Sequence, residues 1–317
     1  MRSLAFRYFS DKILIKYGGL IVSYTIKPFE DLDIMDDFLI SAVACDEEVG
    51  EVFSRTLISG LLQRNLGKIQ VGIQKVIFPN TPNQRGIRLD IEVDEYEIID
   101  EEIHVNNIYD IEPNKRKDVN LPKHNRFYQA KIDSRNLKSG EENFENLPNL
   151  FVIMITNYDP FGYDYMMYTI QNRCKELPEL EYEDGLMFIY FNTMGTKGGN
   201  SEIKSLLNFI QKSKIENVTD EVTKKLHDCI SKVKVSPELR MEYMKWDAMI
   251  YYERRDAKNE GKIEGKIESV LEFLEEVGVI PDELKDKISD ETDLKKIESW
   301  IKLAAKVDSI EEFQEKM

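Results

Sequence analysis

The sequence predicts an α/β fold, a mixed β-sheet flanked by helices, followed by an all-helical C-terminal region. Three observations predict it. Two runs, Gly86-Ile87-Arg88-Leu89-Asp90-Ile91-Glu92-Val93 and Ile108-Tyr109-Asp110-Ile111-Glu112-Pro113-Asn114, alternate polar and apolar residues with the period of a strand. Phe151-Val152-Ile153-Met154-Ile155 is a continuous apolar run between turn residues, as in a strand covered on both faces. From Ser201 to the end, apolar residues recur at helical spacing. The order of helices and strands before that point implies a sheet with helices packed on it. The chain divides on this reading into an N-terminal arm (1–24), an α/β core (25–200), a helical extension (201–258) and a helical tail (259–317).

Taken in order, the arm carries the apolar patch Ile13-Leu14-Ile15 and Leu20-Ile21-Val22, interrupted by Lys16, Gly18 and Gly19. It is too short and broken to span a bilayer. It is either a strand added to the sheet or a loosely held arm. Residues 31–47 read as a helix with Asp33 at its N-cap and an apolar stripe of Ile34, Phe38, Leu39 and Ala42. Residues 52–66 read as a second helix, with Val52, Leu57, Leu61 and Leu62 apolar and Gly67 as its stop. Residues 69–78 alternate toward strand, and 79–83 form a Pro/Asn turn cluster. The two acidic strands follow, joined through a solvated hairpin tip at 94–102. A helix is expected at 127–137, and strands at 165–170 and 186–191.

Residues 192–200 hold glycines and Lys197 ahead of a helix, but without the spacing of a phosphate-binding loop, so they read as a plain connection. Beyond them, helices are expected at 201–213, 219–233, 237–258, 262–277, 292–307 and 309–316. Gly261 and Gly265 suggest a hinge between the third and fourth. Met241, Tyr243, Trp246 and Trp300 are assigned to the core. The stripe Ile263, Ile267, Val270, Leu271 and Leu274 needs a partner: either 292–307 of the same chain or another copy.

Composition narrows the function. The three cysteines, Cys45, Cys174 and Cys229, are far apart and odd in number, which fits neither a disulfide framework nor a zinc cluster and suits a reducing, cytoplasmic setting. The three histidines are equally scattered. The net charge of −16 argues against nucleic acid as a partner, because phosphate binding is driven by Lys and Arg. The stretch 115–138 reverses that balance locally. It holds eight bases (Lys115, Arg116, Lys117, Lys123, Arg126, Lys131, Arg135 and Lys138) against two acids (Asp118 and Asp133). A basic flank beside a carboxylate cluster is the pattern of a metal-dependent enzyme acting on a phosphodiester.

Strand parity supplies the cluster. Arg88, Asp90 and Glu92 share one face; so do Asp110, Glu112 and Asn114. Side by side, these strands bring together the carboxylate and amide oxygens that a hard divalent cation takes as ligands. Asp36 and Asp37 lie early in the first helix, where acids are also stabilising on their own account.

A lone Asp on one strand and Glu-x-Asn on the next resembles the core of the PD-(D/E)XK nucleases. The run is more closely similar to the Rpn-type recombination-promoting nucleases, also described as transposases. The matching residues are Gly86-x-Arg88-x-Asp90, then Ile111-Glu112-Pro113-Asn114, then Arg126-Phe127-Tyr128-Gln129 with Asp133, Leu137 and Gly140. Further matches are Lys27-Pro28-Phe29-Glu30-Asp31-Leu32 with Asp36-Asp37-Phe38, Tyr158-Asp159-Pro160-Phe161-Gly162, Asn192-Thr193-x-Gly195 and the Gly-x-x-Glu-Gly tail, so the resemblance covers residues 25–317.

The resemblance implies a PD-(D/E)XK-like core and an Mg²⁺- or Mn²⁺-dependent DNA endonuclease associated with recombination or mobile elements. Asp90 and Glu112 would hold the metal, with Asp36 or Asp37 as a third ligand. Asn114 would stand where the family has a water-orienting glutamine or lysine, one methylene shorter than glutamine, and Lys115 would assist it. Arg126, Gln129, Lys123, Lys131 and Arg135 would approach the nucleic acid. A catalytically degenerate module that binds nucleic acid or a protein is the alternative. Self-association through the C-terminal helices is a further expectation.

Overall fold

The computed structural model describes residues 5–9, 12–17, 20–25, 27–73, 76–77, 87–88, 90–117, 120–137 and 143–317. The turn expected at 79–83, together with Gly86, Leu89, Lys138 and Gly140, lies outside them. The chain forms two compact units, Met1–Met241 and Glu242–Met317.

The first unit is built on a six-stranded mixed sheet. In chain order its strands are β4 (Lys68–Ile73), β7 (Ile91–Ile99), β8 (Glu102–Asn114), β9 (Asn149–Thr156), β10 (Met167–Ile170) and β11 (Leu186–Asn192). Across the sheet they run β10-β11-β9-β8-β7-β4. The central pairs, β8 with β9 and β9 with β11, are parallel, and the outer pairs are antiparallel. The apolar run 151–155 forms the buried middle of β9, as its composition predicts. The arm adds no strand to this sheet. Its strands β1 (Ala5–Phe9), β2 (Lys12–Tyr17) and β3 (Leu20–Thr25) pair with one another in a separate antiparallel sheet. The short strands β5 (Val76–Ile77) and β6 (Ile87–Arg88) form another.

Helices α1 (Asp37–Cys45), α2 (Gly50–Leu62), α4 (Ser201–Gln211) and α5 (Glu221–Lys234) pack together, with α1 and α2 against β4. Helix α3 (Leu121–Asn136) connects β8 to β9 and packs on the sheet through Ile132 against Ile108, Leu150 and Val152.

Several boundaries differ from the sequence reading. Helix α1 starts later, with Asp36 rather than Asp33 at its N-cap. Asp33 is engaged elsewhere, accepting from the Ser213 N–H at 2.8 Å and from Lys27. Helix α2 stops at Gln63, which adopts the left-handed conformation (φ 51°) that a glycine usually supplies. Its buried stripe is Phe53, Leu57, Ile58 and Leu61, and Val52 is exposed. Helix α3 begins six residues before the expected 127, because Pro122 sits in the first turn, where no N–H is required. The β7–β8 hairpin is longer than expected. Only Asp100 and Glu101 form its tip, both with positive φ.

The second unit has a core of its own. Helix α6 (Pro237–Val277) contributes Ile267, Val270 and Leu274. They meet Leu284 and Ile288 of α7 (Asp282–Ser289), Ile297, Trp300 and Ala304 of α8 (Leu294–Ala304), and Ile310 and Phe313 of α9 (Ile310–Lys316). Burying each large apolar side chain of this kind contributes about 1.5–3 kcal/mol. The stripe on α6 therefore finds its partner in its own chain. Helix α7, with only two buried apolar residues, carries too short a pattern to be read from sequence. Tyr243 and Trp300 are buried as expected, whereas Met241 is exposed.

Helix α6 also runs unbroken through Gly261 and Gly265, so the expected hinge is absent. Two glycines weaken a helix by about 2 kcal/mol in total. The helix-favouring Lys and Glu residues around them, and the core contacts that follow, outweigh that. Neither glycine has an atom within 4 Å of an added Cβ. Gly261→Ala and Gly265→Ala are each expected to raise the stability of this unit by about 0.5–1 kcal/mol. Denaturant titration of each variant checks this; a loss of stability would mean that the helix must bend there.

Candidate active site

Alternation along β8 sets up the site. Ile108, Asp110 and Glu112 face α3, while Tyr109 and Ile111 face the other side of the sheet. On the neighbouring strand Glu92 is the direct cross-strand partner of Asp110. Glu92 and Asp110 are both completely buried, and Glu112 is nearly so. Asp90 stands in the bend just before β7, and its N–H donates to Oε1 of Glu112 at 3.0 Å. The lower part of this sheet face is apolar and the upper part acidic.

Like charges directly opposite one another destabilise a ladder. One counter-charge comes from α3. Leu121, Asn125, Tyr128, Ile132 and Arg135 recur at intervals of four and three and form its inward stripe. The last of them, Arg135, donates from Nη2 to Oε2 of Glu92 at 2.7 Å. Its Nη1 is buried and has no hydrogen-bond partner among the described residues. The same is true of both carboxyl oxygens of Asp110.

Burial, followed by the charge of Glu92, pushes the Asp110 carboxyl well above the usual carboxylate range; contact with Glu112 and the charge of Arg135 offset only part of this. Burial, followed by the charges of Asp110 and Asp90, does the same to Glu112, against the pull of the Asp90 N–H. Two apposed buried carboxyls cannot both ionise freely, so the pair retains a proton where water-exposed acids would have lost theirs.

The remaining expected site residues are distributed as follows. Asn114 ends β8, and its Oδ1 accepts from the Arg116 N–H at 3.0 Å and the Tyr158 hydroxyl at 3.3 Å. Pro113 sits inside the strand opposite Ile155 of β9. Lys115, just past the strand end, reaches Asp36. Asp36 also accepts from Lys27 at 2.6 Å and from the Asp33 N–H at 2.8 Å. Burial would raise the Asp36 carboxyl, but Lys115 and Lys27 hold it below the usual range. Asp37 is exposed in the first turn of α1. On α3, Lys123 and Arg126 are exposed, and Lys131 lies over the Phe127 ring at 5.7 Å. Gln129 donates to Asp133 at 2.7 Å.

The structure thus brings Asp90 and Glu112 together and adds Glu92, Asp110 and the inward-turned Arg135 as central members. Parity already places Glu92 and Asp110 on the shared face. The signal for Arg135 is the four-and-three spacing that runs back to Leu121. Among the described residues, no three histidine, cysteine, aspartate or glutamate side chains are arranged as they stand to hold a metal ion. The donor chemistry nevertheless suits a hard divalent cation. Buried carboxylate oxygens without a donor, in a cluster with more acids than bases, are what such an ion neutralises. No helix among the described residues is long and apolar enough to cross a membrane.

Comparison of the chain with protein-family models, with curated proteins and with solved structures finds no match in any of the three.

The raised carboxyls set a pH dependence. In the unfolded chain both acids titrate near 4. In the folded chain they keep their protons to higher pH, so the folded state binds more protons across that window. Their contribution to stability is complete below the unfolded pKa values and is lost as pH rises through the folded ones. With EDTA present, the wild type is expected to lose stability as pH rises above 4. Asp110→Asn should remove most of that slope. Thermal melts of both proteins between pH 4 and 8 test this; parallel curves would contradict it.

Proposed function

We propose that this chain is a metal-dependent DNA endonuclease of the Rpn type, hydrolysing phosphodiester bonds with Mg²⁺ or Mn²⁺. The observation that carries this reading is the completely buried Asp110 carboxyl, whose oxygens have no N–H donor among the described residues and which lies against Glu112 and Asp90 at one end of the sheet. Asp90, Asp110 and Glu112 are the residues that would hold the ion. When bound, the ion would supply an activated water and relief of charge on the phosphate.

The chain's own groups have separate tasks. Glu112 is oriented by the Asp90 N–H, which fixes its Oε1. Asn114 is steadied through its Oδ1, leaving its amide N–H groups to orient a water. The exposed Lys123 and Arg126, with Lys131 behind them, offer cations to a phosphate backbone along α3, next to the acidic centre. Lys115 acts indirectly by tying the end of β8 to the N-cap of α1.

A second reading, a binding module that retains this fold without turnover, is favoured by one observation: no three acids among the described residues are arranged to close on an ion. Cleavage of supercoiled plasmid separates the two. Wild type should nick with Mg²⁺ or Mn²⁺ and not with EDTA. Glu112→Ala should lower the rate by at least about a hundredfold while keeping the fold by circular dichroism. DNA retention in a filter assay by a folded wild type that nicks with neither metal would support the module instead.

A further inference from the structure

The loop that follows β9, residues 157–166, holds two tyrosine rings in solvent on a tightly tied backbone. Tyr163 is 68% exposed and Tyr165 46%. Asp159 accepts from the N–H groups of Phe161 and Asp164 and from the Tyr168 hydroxyl at 2.8 Å. Asp164, in the left-handed conformation (φ 65°), accepts from the Thr196 hydroxyl, and its carbonyl accepts from the N–H groups of Thr196 and Lys197. The Tyr165 carbonyl accepts from Asn192 Nδ2 at 3.2 Å. The acids of the loop are thus spent on its own framework and on the neighbouring 192–197 connection. Lys197, which is exposed, lies beside Tyr163 and donates from Nζ to its carbonyl at 3.2 Å.

Phe161 seats this loop on the acidic face of the sheet. Its ring meets Tyr168 and Tyr190 edge-on, both at 5.0 Å, in a cluster with Leu121 of α3 and Met154 of β9. Met154 is the register partner of Glu112. Tyr158, at the start of the loop, donates to Asn114 at 3.3 Å. Loop and acids therefore share one face and one end of the sheet, at the carboxyl ends of the parallel strands β8, β9 and β11. That end is where open α/β sheets bind their ligands.

We propose that Tyr163 and Tyr165 form a stacking platform for unpaired bases, so that the strand presented to the acidic centre is single-stranded DNA. The inference rests on the nucleic-acid side of the function proposed above, and on neither turnover nor a bound metal. The chemistry selects the occupant. A tyrosine face stacks on any base, but in a duplex both faces of each base are already covered by its neighbours. Lys197 beside the platform, with Lys123 and Arg126 early in α3, supplies cations for the phosphates that connect the stacked bases. The tied backbone means that little ordering remains to be done on binding.

The test is fluorescence anisotropy in EDTA at low salt, on full-length protein checked for its fold by circular dichroism. The probes are a labelled oligothymidylate, a duplex of equal length and an abasic strand of equal length. Wild type is expected to bind the oligothymidylate at least about tenfold more tightly than the other two. Tyr163→Ala and Tyr165→Ala should each weaken that binding by at least about fivefold and leave the other two unchanged, while Tyr163→Phe and Tyr165→Phe keep it. The abasic strand needs no variant, so it decides the matter even if an alanine variant does not fold. Equal binding of the oligothymidylate and the abasic strand, or unchanged binding in both folded alanine variants, would overturn the inference. So would phenylalanine variants that lose as much as the alanine ones, since the hydroxyls and not the rings would then make the contact. Absence of binding to all three probes would overturn it and leave the exposed rings to a protein partner. Nicking of plasmid with metal, measured separately, decides the endonuclease reading on its own.

Discussion

Two carboxylates facing each other across the β7–β8 ladder, with one guanidinium to hold them, are the constraint from which the rest of this fold's chemistry follows. Cross-strand pairing places Glu92 against Asp110 because alternation along each strand leaves no other face for them. A register slip of one residue would turn these acids toward α1 and α2 and move Tyr109 and Ile111 under α3. The ladder register that buries Ile91, Val93, Tyr109 and Ile111 on one side therefore commits the acids to the other. The crossover helix responds in kind. It meets the apolar part of the face with Ile132 and the acidic part with Arg135, two positions on a single stripe.

Much of this was legible in the sequence, and the limits have physical causes. Period-two alternation identified the acidic strands and the shared faces of their side chains, and the unbroken apolar run identified the strand beside them. The helical periodicity of the last hundred or so residues was equally readable, down to the stripe on α6 that packs into its own unit. What escaped was decided over long sequence distances. The N-cap of α1 moved from Asp33 to Asp36 because Ser213, far along the chain, occupies Asp33, while Lys27 and Lys115 converge on Asp36. Arg135 was expected to approach nucleic acid, as the resemblance implies, whereas it turns inward to Glu92. Its spacing from Tyr128 and Ile132 puts it on the inward stripe, but periodicity alone does not name the buried acid it meets.

Local exceptions account for the other differences. Gln63 and the Asp100-Glu101 pair adopt left-handed backbone without glycine, so composition alone does not mark the end of α2 or the tip of the hairpin. Conversely, Gly261 and Gly265 suggest a break that does not occur. In each case a residue's intrinsic preference, worth about 1 kcal/mol, is overridden by the packing of the element around it.

The topology also orders events in time. The β7–β8 hairpin closes over a two-residue tip and is a local structure, whereas β8 and β9 pair in parallel only after the whole of α3 has crossed between them. Low contact order favours bringing Glu92 and Asp110 face to face before the crossover helix docks and delivers Arg135. A hairpin without α3 would leave its acidic end in water, where the two charges are screened. Docking of α3 is thus the step at which dehydration of the acids and arrival of their counter-charge have to coincide.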